Sequence, residues 1–279
     1  SIMSEDRKLM NRNLVVIGAI LIQFALGAIY AWSVFTPALK DAGWTRAQTQ
    51  FVFMAGLASF AIIMVMAGKM MPKLGPQKLA LAGGVVLGLG YFLGGIIGGT
   101  NVASLVIFIG IIGGAGIGLA YVVPIAVGMR WFPDKKGLIT GLAVAGFGFG
   151  AIIWVKMAGS WGHLIATYGL SKTFSIYGIA FLLMVCIGAI WMKFPPEDWK
   201  PEGWTPPPPK ADQVSDEVNF SVREMLSTPQ FYMIFLCFMI SAGAGLMTIG
   251  LMKLFPEEAL TANGLNPAEA SAIAGTAMA

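Results

Sequence analysis

The chain has 279 residues, 57% of them apolar and only 11% charged, with a formal net charge of +4. Soluble domains do not string together apolar runs of about 20 residues, the length that carries a helix across a bilayer core of about 30 Å. The basic excess is no nucleic-acid footprint either, because the Lys and Arg residues sit at the ends of those runs and form no patch.

In chain order, the predicted spans are 14–36, 46–71, 78–98, 102–130, 138–163 and 173–193, then a seventh at 229–252 and an eighth from 267 onward. The first, Leu14 to Phe35, is too long for the apolar region of a cleaved signal peptide and reads as a signal anchor. With the amino terminus on the inner side, thirteen basic residues fall inside: Arg7, Lys8, Arg12, Lys69, Lys73, Lys78, Arg130, Lys135, Lys136, Lys193, Lys200, Lys210 and Arg223. Four fall outside, namely Lys40, Arg46, Lys172 and Lys253, with Lys156 near the outer end of span five. The positive-inside rule therefore predicts a multi-pass protein of the plasma (inner) membrane, its amino terminus and the segment after span six cytoplasmic.

That segment, 194–228, contains Pro195-Pro196 and the run Pro206 to Pro209, which favours an extended polyproline conformation and cannot continue a helix. It divides the chain into a six-helix bundle at 1–193, a cytoplasmic linker at 194–228, and the start of a second six-helix bundle at 229–279. Ser221 to Leu226 reads as a short surface helix before Pro229 opens span seven. After span one the chain reads Gly43-Trp44-Thr45-Arg46-Ala47-Gln48, and after span seven Gly264-Leu265-Asn266-Pro267-Ala268-Glu269. Each places a polar N-cap before a helix, with Gln or Glu three residues on. Six spans, a long linker and a restarted pattern fit the pseudo-symmetric transporter plan, in which this chain stops inside span eight.

The 14 acidic residues all lie in loops or at span ends. Carboxylates near a bilayer midplane are the usual mark of cation or proton sites, so their absence argues against a cation substrate. Lys156 reads either as a lysine snorkelling to the interface or as a positive lure at the outer mouth. His163 lies further out and reads as a surface residue. Cys186 and Cys237 lie inside spans and read as buried thiols, with neither a disulfide nor a metal site indicated. Gly146-Phe147-Gly148-Phe149-Gly150-Ala151 fits a dinucleotide fingerprint only superficially, since it follows no strand, and no cofactor is expected. One histidine, two isolated cysteines and no buried acid weigh against an enzyme. Glycines four apart, such as Gly84 and Gly88, Gly110, Gly114 and Gly118, or Gly137 and Gly141, suit close helix packing, static or during rocking. Polar or aromatic residues within spans include Gln23, Tyr30, Trp32, Ser59, Tyr121, Ser241 and Thr248. Tyr30 and Tyr121 lie either side of the midplane, where a hydroxyl can donate to a carboxylate or simply serve packing.

These residues also carry a resemblance. Leu26-Gly27-Ala28-Ile29-Tyr30-Ala31-Trp32-Ser33, Gly116-Ile117-Gly118-Leu119-Ala120-Tyr121, Arg130-Trp131-Phe132-Pro133-Asp134-Lys135-Lys136-Gly137, the linker from Pro195 to Trp204, and Thr228-Pro229-Gln230-Phe231 resemble the major facilitator superfamily. Within it they resemble the oxalate/formate antiporter family. The resemblance covers essentially the whole chain and implies an all-α fold, its amino-terminal six-helix bundle complete and its second bundle begun. It implies alternating-access transport of a small carboxylate, with a proton or counter-anion as coupling partner. The pocket it implies includes Tyr30 and Tyr121, with Trp32 beside the pocket helix. A family tyrosine corresponds here to Phe147 and a family glutamine to Ile29, so two hydrogen-bonding groups are lost and a monocarboxylate (lactate, pyruvate or formate) is expected over a dicarboxylate. The family's cationic ligands would fall beyond Ala279. In the loop Gly68-Lys69-Met70-Met71-Pro72-Lys73-Leu74-Gly75, Pro72 stands where the superfamily usually has aspartate. The second reading is a non-transporting sensor or structural membrane subunit on the same fold.

Overall fold

A backbone surrounded by lipid must satisfy its N–H and C=O groups within its own helix or a closed barrel, and the regular elements of the described residues are all helices. The computed structural model describes residues 10–197, 199–205, 220–251 and 254–277. Among the described residues, seven helices are long and apolar enough to cross a membrane. They are α1 (Arg12–Asp41), α2 (Arg46–Leu74), α3 (Pro76–Gly98), α4 (Val102–Trp131), α5 (Lys136–Ala158), α6 (Leu164–Ala189) and, after a short α7 (Val222–Leu226), α8 (Pro229–Leu251). Two more follow, α9 (Leu254–Ala262) and α10 (Pro267–Ala277). Arg7, Lys8, Lys210, Lys253 and the run Pro206 to Pro209 lie outside the described residues.

Several boundaries differ from expectation for local reasons. α1 continues past residue 36, because Pro37 falls in the first turn of its last segment, where a missing N–H breaks no helical bond. α5 ends at Ala158 instead of 163, and α6 starts at Leu164 instead of 173, turning at Gly169 with φ 77°. α9 was not expected at all. The predicted cap before α2 forms a full capping box, Thr45 with Gln48, and an unpredicted one, Ser221 with Glu224, starts α7. At α10, Asn266 Oδ1 accepts from the N–H of Ala268, 3.1 Å away.

Helices α1 to α6 form one bundle, with α1 packed on α4, α5 and α6, α2 on α4, and α3 on α4 and α6. Glycine permits the closest approaches. A Cβ at Gly88 would lie 2.8 Å from the Gly178 carbonyl oxygen, and one at Gly178 would lie 2.6 Å from that of Gly88. Across the bundle, Tyr177 on α6 donates to the Trp154 carbonyl, and the Trp154 indole donates to the Phe24 carbonyl at 2.7 Å.

The Arg130–Gly137 motif ties the basic end together. Arg130 lies 3.8 Å over the Phe194 ring, Trp131 donates to the Lys193 carbonyl at 2.7 Å, and its ring meets Trp199 at 4.8 Å. Asp134 accepts an ion pair from Arg12 at 3.2 Å, and Arg12 also covers Phe132. Pro72 sits inside the last turn of α2, and Gly75, at φ 80°, reverses the chain into α3. Lys69, Lys73 and Lys78 form no ion pair among the described residues. By contrast α8 is exposed along most of its length, touching mainly the middle of α1. Cys186 is half-buried and Cys237 lies exposed on α8, so only the first approaches the buried thiol expected of both.

Candidate functional site

Tyr30 lies in the middle of α1, where the helix tightens to 3₁₀ geometry over Gly27–Phe35. Such a stretch inside a longer helix is frequently a hinge or a strained functional segment. Its position against α5 is set by two glycines. A Cβ at Gly27 would lie 2.0 Å from the Phe147 carbonyl oxygen, and one at Gly150 would lie 2.4 Å from that of Phe24. Neither contact tolerates a side chain, so α1 and α5 touch backbone to backbone beside the Tyr30 ring.

That approach lays Tyr30 edge-on against Phe147, with ring centres 5.2 Å apart and planes at 87°. Tyr121, from α4, packs on the same ring at 5.1 Å and 82°. Edge-to-face pairs of this kind are favoured by the ring quadrupoles. Phe60 of α2 completes the group, 5.2 Å from Tyr121 and 6.3 Å from Phe147. Phe147 is buried at 5% exposure, whereas both tyrosines are half-buried. Neither tyrosine hydroxyl bonds a protein group among the described residues. The arrangement is an apolar floor flanked by two accessible hydroxyls, which can donate to an anion and cannot ligate a hard cation strongly.

Of the five residues singled out from the sequence, the structure thus brings together Tyr30, Tyr121 and Phe147. Trp32 points elsewhere. Its indole nitrogen donates to the Thr49 carbonyl at 2.8 Å, and its ring stacks on Phe174 at 6.2 Å. An indole has a single donor, so none remains for a ligand. Ile29 is buried at 6% exposure, its side chain next to Gly56 on α2, and it lines a small cavity with Trp32, Val52, Phe53 and Ile109. Phe60 was not anticipated, because an apolar residue in an apolar span carries no distinguishing signal. The sequence marks Gln23 only as a polar residue within a span. It is fully buried, and its Nε2 donates to the Tyr121 carbonyl at 3.3 Å.

At the end of the bundle opposite the basic motif, Glu258 of α9 receives Lys40 at 3.0 Å and Arg46. The Arg46 hydrogen bond first, then that from Lys40, holds the Glu258 carboxyl below its ordinary range. Lys156 is half-buried in the last turn of α5 and forms no ion pair among the described residues, while His163 is exposed.

Comparison with known proteins places this architecture. An uncharacterized MFS-type transporter of Escherichia coli, YhjX, is 34% identical over 87% of this chain and 57% of its own length. The oxalate:formate antiporter of Oxalobacter formigenes is 25% identical over 84% of this chain and 53% of its own length. Monocarboxylate transporter 14 of the mouse, Mus musculus, is 28% identical over 63% of this chain and 32% of its own length. The chain therefore spans little more than half the length of the first two relatives and about a third of the mouse protein. The profile of the Major Facilitator Superfamily matches residues 15–279, and with its helical bundle and apolar spans the chain belongs to that superfamily of multi-pass membrane proteins.

Proposed function

We propose that this chain is the first half, and the opening of the second, of a secondary transporter for small organic anions. The observation that carries the reading is the pair of half-buried tyrosine hydroxyls flanking Phe147, neither of them engaged by a protein group among the described residues. Tyr30 and Tyr121 would each donate to the carboxylate, while Phe147, Phe60 and the surrounding helices hold the apolar part of the substrate. A floor of phenyl rings suits one carboxylate with a small apolar remainder better than two carboxylates. Lactate, pyruvate or formate are thus the proposed substrates, with oxalate/formate exchange as the variant that the Oxalobacter relative suggests. Residues 1–193 act as one rocking bundle, 194–228 as a cytoplasmic linker and 229–279 as the start of the other, in an inner membrane with the basic end cytoplasmic. The coupling partner is a proton or a counter-anion.

Uptake of labelled pyruvate, lactate, formate and oxalate into proteoliposomes holding the full-length protein tests this. Uptake driven by internal carboxylate alone identifies an exchanger, and uptake driven by an inward proton gradient a symporter. No uptake of any acid under either condition overturns the assignment in favour of a sensor or structural subunit.

A further inference from the structure

Gln23 sits where three of the four helices that carry the aromatic site, α1, α4 and α5, meet. It belongs to α1, seven residues before Tyr30, and is 0% exposed. Its Nε2 donates to the carbonyl of Tyr121 itself, on α4. Its Cβ faces Gly146 of α5, next to Phe147, where an added Cβ would come within 3.4 Å of it. Its Oε1 is buried and accepts from no protein group among the described residues. Burying an amide with only part of its bonding satisfied is costly, and an apolar residue of similar size would fill the space at less cost. The one bond it does make is therefore informative.

The acceptor of that bond adds to its significance. Pro124 has no N–H, so the carbonyl of Ala120, four residues earlier, lacks its helical donor. The adjoining carbonyl is the one Gln23 engages. This turn of α4 is less firmly held by its own ladder, and a lateral bond from α1 steadies it. Because Gln23 and Tyr30 ride on the same helix, the bond also fixes Tyr121 relative to Tyr30.

We propose that Gln23 is a positioning residue that sets the spacing of the Tyr30 and Tyr121 hydroxyls by holding the Tyr121 backbone against α1. The inference rests on the carboxylate-transport reading above and deepens it. The test is a double-mutant cycle in the full-length protein in proteoliposomes, reading KM and maximal rate for the best-transported acid. Gln23→Met keeps the bulk and removes the donor. It raises KM about threefold to tenfold, as loss of one hydrogen bond would, with the maximal rate retained. In a Tyr121→Phe background it adds less than about twofold, since both changes disable the same group. Gln23→Asn, one methylene too short to reach, gives the same pattern and decides the matter if the methionine variant does not fold. Additive losses, or a lowered maximal rate at unchanged KM, make Gln23 a packing residue and overturn the inference while the carboxylate reading stands. Tyr121→Phe with unchanged KM removes Tyr121 from the site, and the positioning role falls with that part of the reading.

Discussion

The two faces of α5 use glycine in opposite ways. On one, Gly146 and Gly150 lie against α1, and at Gly150 an added Cβ would reach 2.4 Å from a backbone oxygen. On the other, Gly137, Gly141 and Gly148 are exposed and have no atom within 4 Å of the same hypothetical Cβ. A four-residue glycine spacing thus does not by itself mark a helix contact. The first face is a seam that fixes Phe147 under Tyr30, and the second is a smooth surface on the same helix.

The largest effect is expected where the seam is broken. Gly150→Val places branched carbons into the backbone of Phe24, and Gly27→Val does the same to that of Phe147. Overpacking costs about 1–3 kcal/mol or more, and a backbone cannot rotate out of the way as a side chain can. Each variant of the full-length protein should show about 3 kcal/mol less stability, a clearly lowered Tm in detergent and little transport. A Tm within a degree of the parent would mean that α1 and α5 are not seamed this way.

Next in size is the site that the seam supports. Tyr121→Phe should weaken binding of the transported acid by about 1 kcal/mol or more, the worth of a hydrogen bond to a charged group, with Tm unchanged. Tyr30→Phe should act similarly. Affinity read from competition of labelled uptake checks both, and an unchanged value for either removes that hydroxyl from the site.

The long helices and the cap at Thr45 were legible from the sequence, because length and capping residues leave local marks, and Tyr30 and Tyr121 stood out as polar groups in apolar spans, though only a resemblance joined them in one site. Phe147 was reached only through a resemblance. Ile29 and Trp32 adjoin Tyr30 in sequence, yet the structure turns them into the bundle, since successive residues on a helix point about 100° apart or more. The α1–α5 seam was invisible for a different reason. It arises where two backbones meet, and a single stretch of sequence records only one of them.

On the smooth face, Gly148→Ala should be neutral or should stabilise the bundle by about 0.5–1 kcal/mol, because alanine loses less entropy in a helix and meets nothing. Thermal unfolding in detergent checks this. If transport by the full-length protein nonetheless falls while Tm holds, the smooth face is met by another surface during the cycle. That outcome would sharpen the contrast between static and moving glycine contacts.

The smallest effect belongs to a third kind of contact, which ties α9 to the first bundle by charge instead of by backbone approach. Glu258 is 40% exposed and bound by Arg46 and Lys40, a surface arrangement worth less than about 1 kcal/mol. Its carboxyl is held below the ordinary carboxylate value, so the stabilisation is present above that ordinary value and is lost as pH falls through the lowered one. Labels at Ala42 and Ala262, in protein lacking Cys186 and Cys237, should keep their separation from neutral pH down past the ordinary carboxylate range and then move apart. Glu258→Gln should show the wider separation at every pH, and about 1 M salt should reproduce it by shortening the screening length to about 3 Å. A separation that ignores pH, salt and the substitution alike would mean that α9 is held by its apolar face, as the glycine-seamed helices are held by theirs.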